Sequence, residues 1–135
     1  MLKKSLSVEK FFSDNRNNLK IKLMNPNSGF DRTIETPELN RPGLALAGYL
    51  DLFTYDRIQI LGNTEIRYLQ SLSRERKRQA LEKVLDYEIP CLIVTENNDI
   101  PAELLSISTR RQICVFLTEE GLNGCSYKDD EQKID

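Results

Sequence analysis

The chain alternates between two rhythms of apolar spacing. Ser7 can cap a short helix running through about Asp14, with Val8, Phe11 and Phe12 at helical spacing on one face. Asn15 to Asn18 reads as a turn. From Leu19 to Met24 the period drops to two, with Leu19, Ile21 and Leu23 opposed to Lys20 and Lys22, which is the pattern of a half-buried strand. Asn25-Pro26-Asn27-Ser28-Gly29 is dense in turn formers and leads to a second extended segment, about Phe30 to Thr36. These two segments either pair as a hairpin or run separately. Pro37, Pro42, Gly43 and Gly48 break any period across the next stretch. Leu44, Leu46, Tyr49 and Phe53 still offer apolar surface for the core, and a helical turn fits within 45–52.

The second half is more regular. Arg57-Ile58-Gln59-Ile60-Leu61-Gly62 predicts a strand ending at a glycine. Thr64 is placed to cap a helix through about Leu72 that buries Ile66, Leu69 and Leu72. Ser73 is placed to cap the next, through about Asp86, with Ala80, Leu81, Val84 and Leu85 facing inward. Ile89 to Thr95 is a nearly continuous apolar run, the mark of a strand covered on both faces. Pro101 suits the first position of a helix through about Arg111, and 113–117 is another apolar strand. The order predicts a mixed α/β fold: a β-rich N-terminal part leading into a small three-stranded parallel βαβαβ sheet. One domain is expected over 1–118, followed by a polar, flexible tail over 119–135 that carries Asp129-Asp130-Glu131.

Composition narrows the chemistry. An apolar fraction of 39% and a charged fraction of 30% in 135 residues suit one modest core. A net charge of −2 argues against a broad nucleic-acid surface. No apolar run approaches the roughly 20 residues of a membrane helix, and the N-terminus lacks a signal peptide's apolar stretch, so a cytoplasmic protein is expected. There is no histidine, which removes histidine triads, histidine-ligated zinc and a histidine general base. Cys91 and Cys114 sit in apolar runs and read as buried thiols, Cys125 as an exposed one; no spacing suits a metal.

Three candidate sites follow from residue type. Gly43 to Gly48 has the two glycines of a phosphate loop, but Tyr49 and Leu50 stand where a lysine and a hydroxyl residue must follow. The junctions Gly62-Asn63-Thr64 and Thr95 to Ile100 can offer helix N-terminal amides to an anion, with Arg57, Asn63 and Thr64 as the residues to test. Arg74, Arg76, Lys77 and Arg78 form a basic run with Glu75 and Glu82 interleaved, read as a solvated face or a docking surface for an acidic partner.

One composite stretch is distinctive. Asn40-Arg41-Pro42-Gly43-Leu44-Ala45-Leu46-Ala47-Gly48-Tyr49, followed by Arg57-Ile58-Gln59-Ile60-Leu61-Gly62-Asn63-Thr64-Glu65, closely resembles the N-terminal domain of the HPr kinase/phosphorylase family. The family pattern there is N-R-P-G-L-x-L-x-G-[YF] and R-[IV]-Q-x-[LF]-G-x-x-E. Coverage extends over about residues 5–118. The resemblance implies a bifunctional, hexameric enzyme that phosphorylates and dephosphorylates a serine of HPr, the phosphocarrier of the sugar phosphotransferase system. Its ATP, magnesium and catalytic carboxylate belong to a separate C-terminal kinase domain. It therefore implies a non-catalytic, assembly or regulatory domain with no cofactor or metal of its own. Self-association, the kinase domain and, through the parent enzyme, HPr are the implied partners. Arg41, Pro42, Gly43, Gly48, Gln59, Gly62 and Glu65 would be structural motif residues, and the fold would be similar to the substrate-binding domain of Mur ligases. The competing expectation is a stand-alone sensor of a small anionic metabolite.

Overall fold

A computed structural model describes residues 5–26 and 29–121. The expected acidic tail with Cys125 lies outside the described residues apart from its first three positions, and so do Asn27 and Ser28 of the turn.

The elements in order are β1 (Leu6–Ser7), α1 (Val8–Asn15), β2 (Lys22–Leu23), β3 (Thr33–Ile34), β4 (Leu39–Asn40), α2 (Gly43–Leu46), β5 (Ile58–Leu61), α3 (Asn63–Gln70), α4 (Arg74–Leu85), β6 (Cys91–Val94), α5 (Ala102–Arg110) and β7 (Cys114–Leu117). The main sheet has five strands in the order β2-β7-β6-β5-β4. Its parallel part has four strands, not the expected three, because Leu39 and Asn40 pair in register with Ile58 and Gln59. Two residues between Pro37 and Pro42 are too short to show a period, so this strand was invisible to patterning. The two N-terminal extended segments do not form a hairpin. β2 lies antiparallel on β7, and β3 pairs with β1 in a separate ribbon.

Asn25 explains why the chain cannot double back there. Its side chain donates to the Ile113 carbonyl at 2.8 Å and accepts from the Val115 amide at 2.8 Å, acting as one more rung of the β2–β7 ladder. Read in sequence as a turn former, it is a buried strand partner.

Side-chain alternation sorts the core into two layers. Ile58, Ile60, Cys91, Ile93, Cys114 and Phe116 face α1, where Val8 and Phe11 fill the space. Leu61, Leu92, Val94 and Val115 face the opposite side, under α2 to α5. Both faces of β5 and β6 are therefore covered, as the unbroken apolar runs require. Other expectations shift only locally. Pro101 is the residue before α5 rather than its first, and Ser73 caps α4 by accepting from the Arg76 amide. Leu46 is buried, but Leu44 is 71% exposed and Tyr49 49%, so the stretch after Pro42 packs only partly onto the core.

Cys91 and Cys114 stand directly opposite each other on β6 and β7, and both are buried. Burial, and secondarily Cys114, pushes the Cys91 thiol well up; burial pushes Cys114 up to about 12. The fold thus favours the neutral thiols. Above pH 9, the ordinary ionisation point, the unfolded thiols ionise while the buried ones resist it, so stability declines as pH rises from there. Urea stability under reducing conditions is expected to fall more steeply between pH 9 and 10 than in a Cys91→Ala/Cys114→Ala variant. Equal slopes would refute the assignment.

Candidate functional site

The parallel strands end together at one edge, the usual place for a ligand in an α/β sheet. Arg41 follows β4, Gly62 follows β5, Thr95 follows β6 and Thr118 follows β7. At this edge the first two amides at the start of α3, those of Gly62 and Asn63, are occupied by the chain's own carboxylates. Glu65 Oε1 accepts from the Gly62 amide at 2.8 Å, and Glu96 Oε1 accepts from the Asn63 amide at 3.1 Å. Glu96 reaches that position from a left-handed pair, Glu96 (φ 58°) and Asn97 (φ 54°). The pair is held by amide donation to the Glu120 and Thr118 carbonyls. Asn98 closes the arrangement by donating to Asn63 Oδ1 at 2.9 Å and to the Thr95 carbonyl at 2.8 Å.

The expected ligand residues are not brought together. Asn63 and Thr64 lie exposed on the first turn of α3, and Gly62 rather than Thr64 occupies the capping position. Arg57 lies at the far end of β5, about 16 Å of extended chain away, where it pairs with Glu38 at 2.9 Å.

The distinctive motif residues do converge, as two closed polar links. Asn40 donates to Gln59 Oε1 at 2.7 Å across the β4–β5 register, while buried Gln59 donates to the Thr54 and Arg57 carbonyls at 2.9 and 2.8 Å. Arg41 Nη1 meets Glu65 Oε1 at 3.2 Å, and Glu65 is buried. Gly62 lies in this second link at an ordinary φ of −101°, so its small size serves space rather than conformation. A Cβ there would come within 2.7 Å of Arg41 Nη1 and 3.2 Å of both Thr95 Oγ1 and Glu96 Oε1. Pattern reading could pair these residues only through resemblance, since nothing in their spacing reveals that Asn40 faces Gln59.

The segment from Gly43 to Gly48 does not form a phosphate cradle. The amides of 46–49 donate within the chain, from Leu46 to the Pro42 carbonyl (2.8 Å), Ala47 to Gly43 (3.1 Å), Gly48 to Ala45 (3.0 Å) and Tyr49 to Leu44 (2.9 Å). A phosphate loop needs such amides pointing at the ligand. The basic run on α4 is largely engaged: Arg78 with Glu75 at 2.7 Å, and Arg74 and Lys77 with Glu103 at 3.9 and 3.7 Å. Glu82 bridges to α5 through Arg110 and Arg111 at 2.7 and 2.9 Å. Those two hydrogen bonds, Arg111 first, lower its carboxyl below the usual range. Among the described residues no helix is long and apolar enough to cross a membrane, and no group of three or more acidic or cysteine side chains is placed to hold a metal.

Together these features define a small mixed α/β domain whose most distinctive polar residues bond to one another. The chain belongs to the HPr serine kinase N-terminal family, whose model, described as the HPr serine kinase N terminus, matches residues 6–127. Curated relatives include HPr kinase/phosphorylase of Chlorobium phaeobacteroides, 44% identical over 86% of this chain and 35% of the relative. That of Prosthecochloris aestuarii is 44% identical over 93% and 37%. The chain therefore spans about a third of the length of the curated relatives it matches. Among solved structures, the CBS and DRTGG regulatory region of Clostridium perfringens pyrophosphatase, complexed with the activator diadenosine tetraphosphate, has a TM-score of 0.56. It is 13% identical and covers 84% of this chain and 43% of that one, a likeness of fold alone.

Proposed function

We propose that this chain acts as the non-catalytic, assembly or regulatory N-terminal domain of a bifunctional HPr serine kinase/phosphorylase controlling the sugar phosphotransferase system. The observation carrying the reading is the family match together with a motif whose side chains close on one another, Asn40 with Gln59 and Arg41 with Glu65. The internally bonded amides of 46–49 support it further, as does Tyr49 standing where a phosphate loop needs its lysine. Catalysis, with ATP and magnesium, then belongs to a kinase domain. Self-association, that domain and HPr are the partners of the whole enzyme, in the cytoplasm. The reading carries with it the family's likeness to the Mur-ligase substrate-binding domain, for which the mixed α/β sheet is the support.

A sensor of a small anionic metabolite at the β5–α3 junction is the competing reading. Glu65 and Glu96 weigh against it, because they fill two of the amides an anion would use, those of Gly62 and Asn63, and place negative charge beside the rest. The deciding experiment incubates the purified chain with HPr, ATP and magnesium beside a full-length relative. Phosphoserine on HPr is expected only with the relative. Robust transfer by this chain alone would overturn the proposal.

A further inference from the structure

The four large apolar side chains most exposed among the described residues all fall within 44–55: Leu44 (71%), Tyr49 (49%), Leu52 (78%) and Tyr55 (41%). Scattered exposed leucines need no explanation, whereas a cluster in one segment does. Leu44, Tyr49 and Leu52 line a depression of about 140 Å³ together with Phe53. Phe53 continues the apolar surface, with its ring centroid 6.3 Å from Tyr55 and 5.1 Å from Tyr87. Tyr55 in turn forms the wall of a second, larger groove of about 360 Å³.

That groove is acidic. Asp31, Glu35, Asp56 and Glu88 line it, and Arg32 is the one cation among the described residues lining it. Arg32 offsets one of these four negative charges and leaves the lining net acidic, and its guanidinium is held in place by the backbone. Nε, Nη1 and Nη2 donate to the carbonyls of Gln112, Ile89 and Arg111, each at 2.9 Å. Its nearest approach to Glu88 is 3.8 Å, and the Glu88 side chain is 92% exposed.

Charge selects the occupant. At these exposures the four side chains leave about 400 Å² of apolar surface, taking roughly 150–250 Å² for each complete side chain. A stable homodimer buries roughly 800 Å² per partner, a little over half of it apolar, so area alone does not choose; charge does, because two copies would bring their acidic grooves together. We propose that this ridge and groove dock a basic segment of another protein chain, with lysine or arginine side chains beside one or two large apolar anchors. The anchors enter the depression under Leu44 and Leu52, and the cations meet Asp31, Asp56 and Glu88. The proposal goes beyond the regulatory reading: the depression borders Asn40 and Arg41 of the motif links, but its contacts are made by other side chains, and it holds whatever the kinase domain does.

The test uses the 135-residue chain, isotope-labelled, with a synthetic peptide carrying lysines and arginines around a Leu-Phe pair. Two control peptides replace either the cations by glutamate or the anchors by serine. Amide shifts are expected at residues 31–35, 44–56 and 87–89 with the first peptide alone. The affinity should fall about tenfold or more in Asp31→Asn/Asp56→Asn/Glu88→Gln, in Leu52→Ser, and on raising salt from about 50 to about 300 mM. Leu52 is mostly exposed, so its variant keeps the test open should the triple variant fold poorly. Equal binding of the glutamate peptide, shifts centred on α4, or no shift at about 1 mM peptide would each overturn the proposal. So would a dimer of the chain alone that Leu52→Ser dissolves.

Discussion

Gly29→Ala is expected to cost upwards of about 4 kcal/mol. Two independent penalties meet there. Gly29 has φ +85°, where an L side chain is strained, and its Cβ would lie 2.2 Å from the Gln112 carbonyl oxygen and 2.9 Å from its carbon. Both are backbone atoms, so no rotamer change relieves the contact. Gly48 provides the control, with φ +110° and nothing within 4 Å of the added methyl. Gly48→Ala should cost only the conformational part, about 1 kcal/mol. Against a total stability of roughly 5–15 kcal/mol, the first substitution threatens folding and the second does not. Urea unfolding followed by circular dichroism decides it. Equal losses at both positions would mean that the approach of Gly29 to Gln112 carries no weight.

Gly29 also shows what pattern reading misses. As part of Asn25-Pro26-Asn27-Ser28-Gly29 it looks like one more turn former, and its neighbour Asn25 looks the same. Both owe their identity to residues more than eighty positions later. Asn25 substitutes for a strand rung on Ile113 and Val115, and Gly29 admits the backbone at Gln112. Such requirements come from tertiary contact and leave no local period. The parallel core was legible because burial on both faces writes itself directly into unbroken apolar runs such as 89–95. β4 was not, since two residues between prolines carry no pattern. The start of α3 was displaced for a related reason: Glu65 and Glu96 supply the capping that Thr64 was expected to give.

The same distinction applies to the candidate site. Residue type pointed to Arg57, Asn63 and Thr64 because a glycine-ended strand followed by a helix can hold an anion. What sequence could not reveal is that Glu96, thirty-three residues on, places its carboxylate on the Asn63 amide. Nor could it reveal that the strand itself would carry Arg57 to the opposite end. The resemblance was more informative than the chemistry. Arg41 and Glu65, 24 positions apart, belong to one link that the family pattern contains and that spacing does not disclose.

If that link is structural, its loss should appear in stability. Glu65→Ala is expected to cost about 3 kcal/mol, because it strips the buried Gly62 amide of its acceptor and leaves Arg41 without its carboxylate. Glu65→Gln keeps an acceptor for Gly62 and removes only the charge, so it should cost less. Arg41 is 36% exposed, and solvent screening limits the ion pair itself to about 1 kcal/mol. Arg41 makes further interactions, so Arg41→Met alone overstates the pair. A double-mutant cycle of Arg41→Met with Glu65→Gln isolates it, with an expected coupling of about 1 kcal/mol. Were the motif instead a ligand site, the single variants would unfold like the parent chain and the coupling would vanish. That result would move Arg41 and Glu65 from the scaffold of this domain to its chemistry.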